Sequence, residues 1–256
     1  MSPTMNPRAI IVAAGMGRRL APYTDDRPKC LVEVNGRSIL ERQIAAYRKA
    51  GVDEICVIRG YRSADIALPG IRYFENPDYR TNNILASLFF AEEAMPGGFY
   101  FSYSDIVFRP EVVKTLVASP ADYGLIVDRK WADTYEGRDQ HPISEAELAH
   151  VVDGTVRALG KRVVPTDRAH GEFIGLAKFS PKAVEVMRRE YHSLAKQLGN
   201  QNPFGTAPRF EVAYLTDLLN HLIALGEVMH PVDIQGGWRE IDTTQDLERA
   251  KQIVDW

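Results

Sequence analysis

Residues 9–32 read AIIVAAGMGRRLAPYTDDRPKCLV, and this stretch decides the fold class. Its first six residues form a continuous apolar run that ends at Gly15, which is typical of a strand buried on both faces of a parallel sheet. Glycines at 15 and 17 allow backbone N–H groups to close around phosphate oxygens, and the nearby arginines would neutralise the phosphate charge. The stretch therefore predicts a phosphate-binding turn directly after a buried strand.

Short apolar runs and amphipathic stretches alternate through the first half of the chain. A helix capped by Ser38 is predicted to end at Gly51, and further elements are a helix at Asn83–Met95 and strands at Glu54–Ile58, Ile71–Phe74 and Phe99–Tyr103. This rhythm predicts an α/β protein with a doubly wound, mostly parallel, Rossmann-like mixed sheet. Ligands of such sheets bind beyond the carboxyl ends of the strands. Residues 15–29 and Ser104-Asp105 are therefore the first candidates for a site.

The second half of the chain is less regular. Its predicted elements are strands at Tyr123–Val127, Gly175–Phe179, Val228–Ile234 and Trp238–Asp242, and helices at Pro181–Leu198 and Arg209–Leu225. There is no internal repeat, low-complexity tract or clear linker. We therefore predict one domain over residues 1–256 with an elaborated C-terminal half.

Composition excludes several classes of protein. Of the 256 residues, 45% are hydrophobic and 25% charged, and the formal net charge is −3, so no basic surface predicts nucleic acid or an anionic membrane as a partner. Two cysteines, Cys30 and Cys56, exclude a disulfide framework and a cysteine zinc site. No apolar run approaches the roughly 18 residues of a membrane span, and MSPTMNPR at the N-terminus lacks the core of a signal peptide. We expect a cytoplasmic protein and leave a homodimer open.

The glycine-rich turn does not fit the two commonest nucleotide-binding motifs. The third glycine of the Rossmann fingerprint would fall at Leu20, and no Gly-Lys-Ser/Thr follows the glycines as a Walker A loop requires. Instead, the pattern A-A-G-x-G-x-R-L-x-P-x-T-x-x-x-P-K-x-L over residues 13–31 resembles the signature of a nucleotidyltransferase family. That family includes sugar-nucleotide pyrophosphorylases and phosphocholine cytidylyltransferases.

The resemblance implies a magnesium-dependent attack of a phosphorylated acceptor on the α-phosphate of a nucleoside triphosphate, with release of pyrophosphate. It implies that Ala14, Gly15, Gly17 and Arg19 hold the triphosphate, and that Lys29 contacts phosphate oxygens in the transition state. Such chemistry needs positioning and cations more than a protein nucleophile. The missing Ser/His/Asp and Cys/His motifs are therefore no objection to it.

The resemblance also implies a metal site and a base-binding site. Asp105, after an apolar strand, and Asp242, in a Glu-Ile-Asp-Thr run, would hold Mg²⁺ through carboxylate oxygens. Asn82, Asn83 and Ser87 are similar to the Asn-Asn-x-x-x-Ser-Leu stretch of the phosphocholine-type enzymes, near the place where the family binds the base. Asparagine at a helix start is also a common cap. The doublet together with the serine favours nucleotide contact and CTP.

The acceptor is predicted from fewer signals. Lys161 would hold the acceptor phosphate by the same resemblance, although a surface lysine is as good an interpretation. Glu172 lies where relatives bind the acceptor. If the helix at Arg209–Leu225 forms, its apolar stripe extends back to Glu211, whose buried carboxylate would need a cationic acceptor head group or an arginine as a partner. Trp238 could add a ring face for an ammonium group.

We therefore predict a cytidylyltransferase for a small phosphate or phosphonate acceptor of the phosphocholine or 2-aminoethylphosphonate type. The alternatives are a sugar-1-phosphate nucleotidyltransferase and a catalytically silent nucleotide-binding regulatory domain. The six histidines show no metal-ligand spacing and are interpreted as core or surface residues.

Overall fold

The structure is a computed structural model that describes residues 8–256. Its strands are β1 Arg8–Ala13, β2 Glu33–Val34, β3 Arg37–Ser38, β4 Glu54–Arg59, β5 Arg72–Glu75, β6 Phe99–Tyr103, β7 Ile106–Phe108, β8 Tyr123–Asp128, β9 Glu147–Val152, β10 Thr155–Lys161, β11 Gly171–Phe179, β12 Met229–Ile234 and β13 Trp238–Glu240. Its α-helices are α1 Ile39–Lys49, α2 Ile84–Phe89, α3 Pro110–Ala118, α4 Pro181–Leu198, α5 Leu215–Ala224 and α6 Thr244–Ile253.

The large sheet has the order β10-β9-β11-β6-β1-β4-β5, and β8 joins it by pairing with β11 and β12. Parallel pairs join β1 to β4 and β6, β4 to β5, and β8 to β12. In contrast, β11 is antiparallel to β6, β8 and β9. The prediction of a mixed, mostly parallel, Rossmann-like sheet with an elaborated C-terminal half is confirmed.

Local sequence explains the central elements. Side chains of β1 alternate between two apolar clusters, with Ile10 and Val12 in one and Ile11 in the other, because successive side chains of a strand point to opposite faces. Helix α1 begins with a capping box in which Ser38 and Glu41 bond each other's backbone N–H. These two elements place the glycine-rich turn at the carboxyl edge of the sheet.

Several predicted elements have different limits, and strand β11 begins four residues before the predicted Gly175. The helix at Asn83–Met95 is α2 followed by a 3₁₀ turn at Glu92–Ala94, and the strand at Trp238–Asp242 ends at Glu240. The helix at Arg209–Leu225 is wrong in its first third, because residues 210–212 form a separate 3₁₀ turn and α5 begins at Leu215. Asp217 causes this late start, since its carboxylate accepts hydrogen bonds from the Tyr214 N–H and the Thr206 N–H.

Within residues 8–256, no helix has both the length and the apolar character that crossing a membrane requires. The prediction that MSPTMNPR is not a signal peptide concerns residues 1–8. The structure describes only the last of these, Arg8, so the prediction lies almost entirely outside the described residues.

Candidate functional site

A cavity of about 460 Å³ opens at the carboxyl ends of β1 and β6. Its size is within the range of small-molecule sites. It brings together the predicted site residues with one exception; those that line it are Ala14, Gly15, Gly17, Arg19, Lys29, Asn82, Asn83, Ser87, Asp105, Lys161, Glu172, Trp238 and Asp242. The exception is Glu211.

Glu211 lies away from this cavity because its predicted helix does not form there. It sits in the 3₁₀ turn before α5, and its carboxylate pairs with Arg209 at 3.1 Å. Its backbone carbonyl accepts the N–H of Asn83 at 3.0 Å, where α2 begins. The arginine partner is therefore the correct alternative, and Glu211 supports the site only through its main chain.

Gly17 sets the position of Lys29. Gly17 has a φ of +63°, and a Cβ at this position would lie 2.6 Å from the Cβ of Lys29. Thr24 holds the turn closed by donating its hydroxyl to the Gly17 carbonyl at 3.0 Å. Only glycine allows both the left-handed backbone and this close approach of the lysine.

The Lys29 ammonium lies between the two predicted metal-binding aspartates. Its Nζ is 2.9 Å from Asp105 Oδ2 and 2.5 Å from Asp242 Oδ1. Burial opposes its charged form, but the charges of the two aspartates more than offset this and raise the pKa of Lys29. Burial alone would raise the pKa of Asp242; its contacts with His141 and Lys29 instead lower it. Lys29 and Asp242 are therefore both charged at neutral pH.

Main-chain contacts join the two segments that carry these aspartates. Strand β7 pairs with β13, and the Ile241 N–H donates to the Asp105 carbonyl at 2.8 Å. Buried Gln43 on α1 clamps the turn before β7, because its Nε2 donates to the carbonyls of Tyr103 and Ile106, each at 2.7 Å. The spacing of the carboxylates is therefore fixed by backbone geometry.

These oxygens suit a hard dication. Asp105 Oδ1 is buried and accepts no hydrogen bond from any residue in 8–256, although a buried carboxylate oxygen normally has a partner. Carboxylate oxygens are the ligands Mg²⁺ takes while it retains water and substrate phosphates. The residues present therefore fit Mg²⁺ through Asp105 and Asp242.

Two residues that the sequence analysis did not select also reach this centre. His141, interpreted above as a core or surface residue, lines the cavity with its Nδ1 3.2 Å from Asp242 Oδ2. Glu240 lies on the same side, and its Oε2 accepts from Arg138 at 2.8 Å. Because alternate residues of a strand share one face, the position of Glu240 two residues before Asp242 could have indicated it, whereas no local pattern indicates His141.

Two of the three predicted base-binding residues, Asn82 and Ser87, form one hydrogen-bonded group with Asn76. The Asn76 side chain donates to Asn82 Oδ1 at 2.9 Å and to Ser87 Oγ at 2.6 Å. Asn83 instead donates its side chain to the Val212 carbonyl at 3.2 Å. Asn82 and Ser87 are therefore held in fixed orientations on the cavity wall, while Asn83 anchors the segment before α5.

The far end of the cavity carries buried carboxylates. Burial raises the pKa of Glu147 to about 7 although Tyr103 donates a hydrogen bond to it at 3.1 Å. Burial also raises the pKa of Glu172, which accepts from Tyr135 at 2.7 Å through Oε1. Lys161 faces them from β10 and pairs with Glu145 at 2.7 Å. This end suits a ligand that carries both a cation and an anionic group.

Comparison with known proteins agrees with this geometry. Residues 9–172, which run from β1 into β11 and include the glycine-rich turn and Asp105, match the MobA-like NTP transferase domain. The chain belongs to this family. As a MobA-like NTP transferase, it is a nucleotidyltransferase by family.

Several relatives align with this MobA-like chain over most of its length. The CTP:phosphoglutamine cytidylyltransferase of Campylobacter jejuni is 32% identical over 252 residues, which cover 94% of this chain and 97% of that protein. The 2-aminoethylphosphonate cytidylyltransferase of Lancefieldella rimae is 27% identical, with 93% and 89% covered. The solved CTP:phosphocholine cytidylyltransferase of Streptococcus pneumoniae superposes with a TM-score of 0.69 at 21% identity, covering 97% and 99% of the two chains. That superposition shows the shared fold.

Proposed function

We propose that this chain, acting as a single nucleotidyltransferase domain, transfers CMP from CTP to a small phosphate or phosphonate acceptor and releases pyrophosphate. The observation that carries the proposal is one cavity that joins a phosphate-binding turn, a cation between two carboxylates and an acidic far end. The relatives named as cytidylyltransferases support the choice of CTP and of small phosphorylated acceptors.

The residues of the chain suit an in-line displacement at the α-phosphate. The 15–17 turn and Arg19 would bind the triphosphate, and Lys29 would stabilise charge on the transferring phosphate. When bound by Asp105 and Asp242, Mg²⁺ would supply further charge neutralisation. The acceptor phosphate is largely ionised at neutral pH, because its second pKa is about 6. No general base is therefore needed.

The two ends of the cavity would select the substrates. Asn82 and Ser87, whose polar groups bond Asn76, would bind the cytosine base. At the other end, Lys161 would bind the acceptor phosphate, while Glu172 and the ring of Trp238 would bind an ammonium head group. An ammonium would pair with carboxylates that burial otherwise leaves without a counter-ion. We therefore favour amino-headed acceptors over sugar phosphates.

Pyrophosphate release in the presence of Mg²⁺ tests the proposal. The four ribonucleoside triphosphates and dTTP would be crossed with phosphocholine, 2-aminoethylphosphonate, phosphoglutamine and glucose 1-phosphate. We expect release with CTP and an amino-headed acceptor. Release only with glucose 1-phosphate would overturn the choice of CTP and of an ammonium head group.

The cytoplasmic location and a homodimer stay predictions.

A further inference from the structure

Three potential metal ligands meet around Asp242 on the wall of the cavity. One ligand atom from each of His141, Glu240 and Asp242 lies within 4.8 Å of the other two. His141 Nδ1 is 3.2 Å from Asp242 Oδ2, and His141 Nε2 is 3.6 Å from Glu240 Oε2. The imidazole is 3% exposed. It therefore faces the two carboxylates from a buried position.

A second observation indicates a ligand at this position. Buried ring nitrogens are normally hydrogen-bonded, yet His141 Nδ1 lies 3.2 Å from Asp242 Oδ2 without hydrogen-bonding geometry, and no other residue in 8–256 bonds it. Asp242 Oδ2 is also contacted by Arg19, whose side chain is 59% exposed. Solvent screens the guanidinium of this pair, although the Asp242 carboxylate itself is buried. Arg19 can therefore turn toward a bound triphosphate and leave this oxygen to a metal.

The segment that carries His141 is held in place without any ligand. Arg138 pairs with Asp246 at 2.6 Å and with Glu240 at 2.8 Å. Gln245 accepts the backbone N–H groups of residues 139 and 140 through its side-chain oxygen, at 2.9 and 3.1 Å. Both partners, Gln245 and Asp246, lie in the first turn of α6, directly after Asp242. The imidazole is therefore held beside the two carboxylates before any ligand binds.

We propose that His141, Glu240 and Asp242 form a divalent-metal site that binds first-row transition-metal ions more tightly than Mg²⁺. An imidazole nitrogen favours these ions, whereas Mg²⁺ takes oxygen ligands. Affinity rises from Mn²⁺ along the series, so Mn²⁺ is the strictest probe. Only the part that the metal would play in catalysis rests on the proposed function. The binding itself can be measured without turnover.

The test is Mn²⁺ binding to the whole chain in the absence of nucleotide. Free Mn²⁺ is followed by electron paramagnetic resonance during titration, with Mg²⁺ as competitor. We expect Mg²⁺ to compete only at concentrations at least about tenfold higher than Mn²⁺, and His141→Gln to weaken Mn²⁺ binding by about tenfold or more. His230→Gln is the matched control, since His230 is exposed on β12, and it should bind Mn²⁺ as the wild type does.

Direct evidence of ligation comes from the nitrogen itself. Bound Mn²⁺ should show ¹⁴N modulation of the electron spin echo from one imidazole in the wild type and in His230→Gln, and none in His141→Gln. If His141→Gln does not fold, the wild-type echo decides alone. Absence of ¹⁴N modulation, or equal Mn²⁺ affinity in folded His141→Gln, would overturn the site. Intact Mn²⁺ binding without pyrophosphate release would instead overturn only the proposed function.

Discussion

Glu147→Gln tests whether the carboxyl group of Glu147, at the far end of the cavity, is protonated near neutral pH. Burial raises the pKa of Glu147 from its ordinary value of 4.5 to about 7. Between these values the folded protein holds a proton that the unfolded chain has released. Protonated Glu147 therefore makes its full contribution to the free energy of unfolding below pH 4.5. This contribution is lost as pH rises through 7.

The size of the effect follows from the shift. At about 1.4 kcal/mol for each pH unit, the interval from 4.5 to about 7 corresponds to about 3 kcal/mol of unfolding free energy. Glutamine stays neutral and can still accept the hydrogen bond from Tyr103, so it removes the titration and keeps the contact. The variant should exceed the stability of the wild type by less than about 1 kcal/mol at pH 5 and by up to about 3 kcal/mol at pH 8.

Urea unfolding of both proteins at pH 5, 6.5 and 8 measures this difference. Other groups titrate in both proteins, so their contributions cancel when the variant is compared with the wild type at each pH. A difference that stays constant within about 0.5 kcal/mol from pH 5 to 8 would refute the reasoning, because Glu147 would then titrate alike in the folded and unfolded states.

Three further substitutions, with Gly36→Ala as a matched control, test the glycine-rich turn, Lys29 and Asp105. Lys29→Ala should lower kcat at least about a hundredfold and change the KM for CTP only a few-fold, because its charge acts mainly on the transferring phosphate; steady-state kinetics would contradict this role if only KM changed. Gly17→Ala and Gly36→Ala both place a side chain at positive φ and should each cost about 1 kcal/mol in urea unfolding. Only the Cβ at 17 meets Lys29, whereas no described atom lies within 4 Å of a Cβ at 36, so turnover should fall only in Gly17→Ala; equal losses would refute the packing argument. Asp105→Asn should lose at least about 99% of turnover with its unfolding midpoint retained, and wild-type rates in the folded variant would remove Asp105 from the reaction.

Elements with local signals could be predicted from the sequence. Phe99–Tyr103 and Pro181–Leu198 have the predicted limits, because an apolar run between turn residues and a Ser-Pro start mark their ends. The helix before Leu215 could not be predicted correctly, since its late start depends on Asp217 bonding Thr206, eleven residues earlier. A periodic apolar stripe carries no information about such a contact.

The residues of the candidate site also differ in whether the sequence could predict them. The glycine-rich turn and Asp105 each follow a buried strand, so topology alone brings them to one edge of the sheet. His141 reaches the cavity through contacts of Arg138 and Gln245 that span more than a hundred residues. Nothing near His141 in the sequence distinguishes it from the other histidines.

The backbone link between β7 and β13 has a consequence for how substrate preference can change. The Asp105 carbonyl and the Ile241 N–H hold the two aspartates proposed to bind Mg²⁺ together through main-chain groups that every residue type except proline supplies. The side chains proposed to select the acceptor lie elsewhere, with Lys161 on β10 and Glu172 on β11. If Lys161 and Glu172 select the acceptor as proposed, substitutions at these positions should change the choice of acceptor without disturbing the backbone link between Asp105 and Ile241. Those two positions are the natural starting points for engineering an enzyme of this fold toward a new phosphonate.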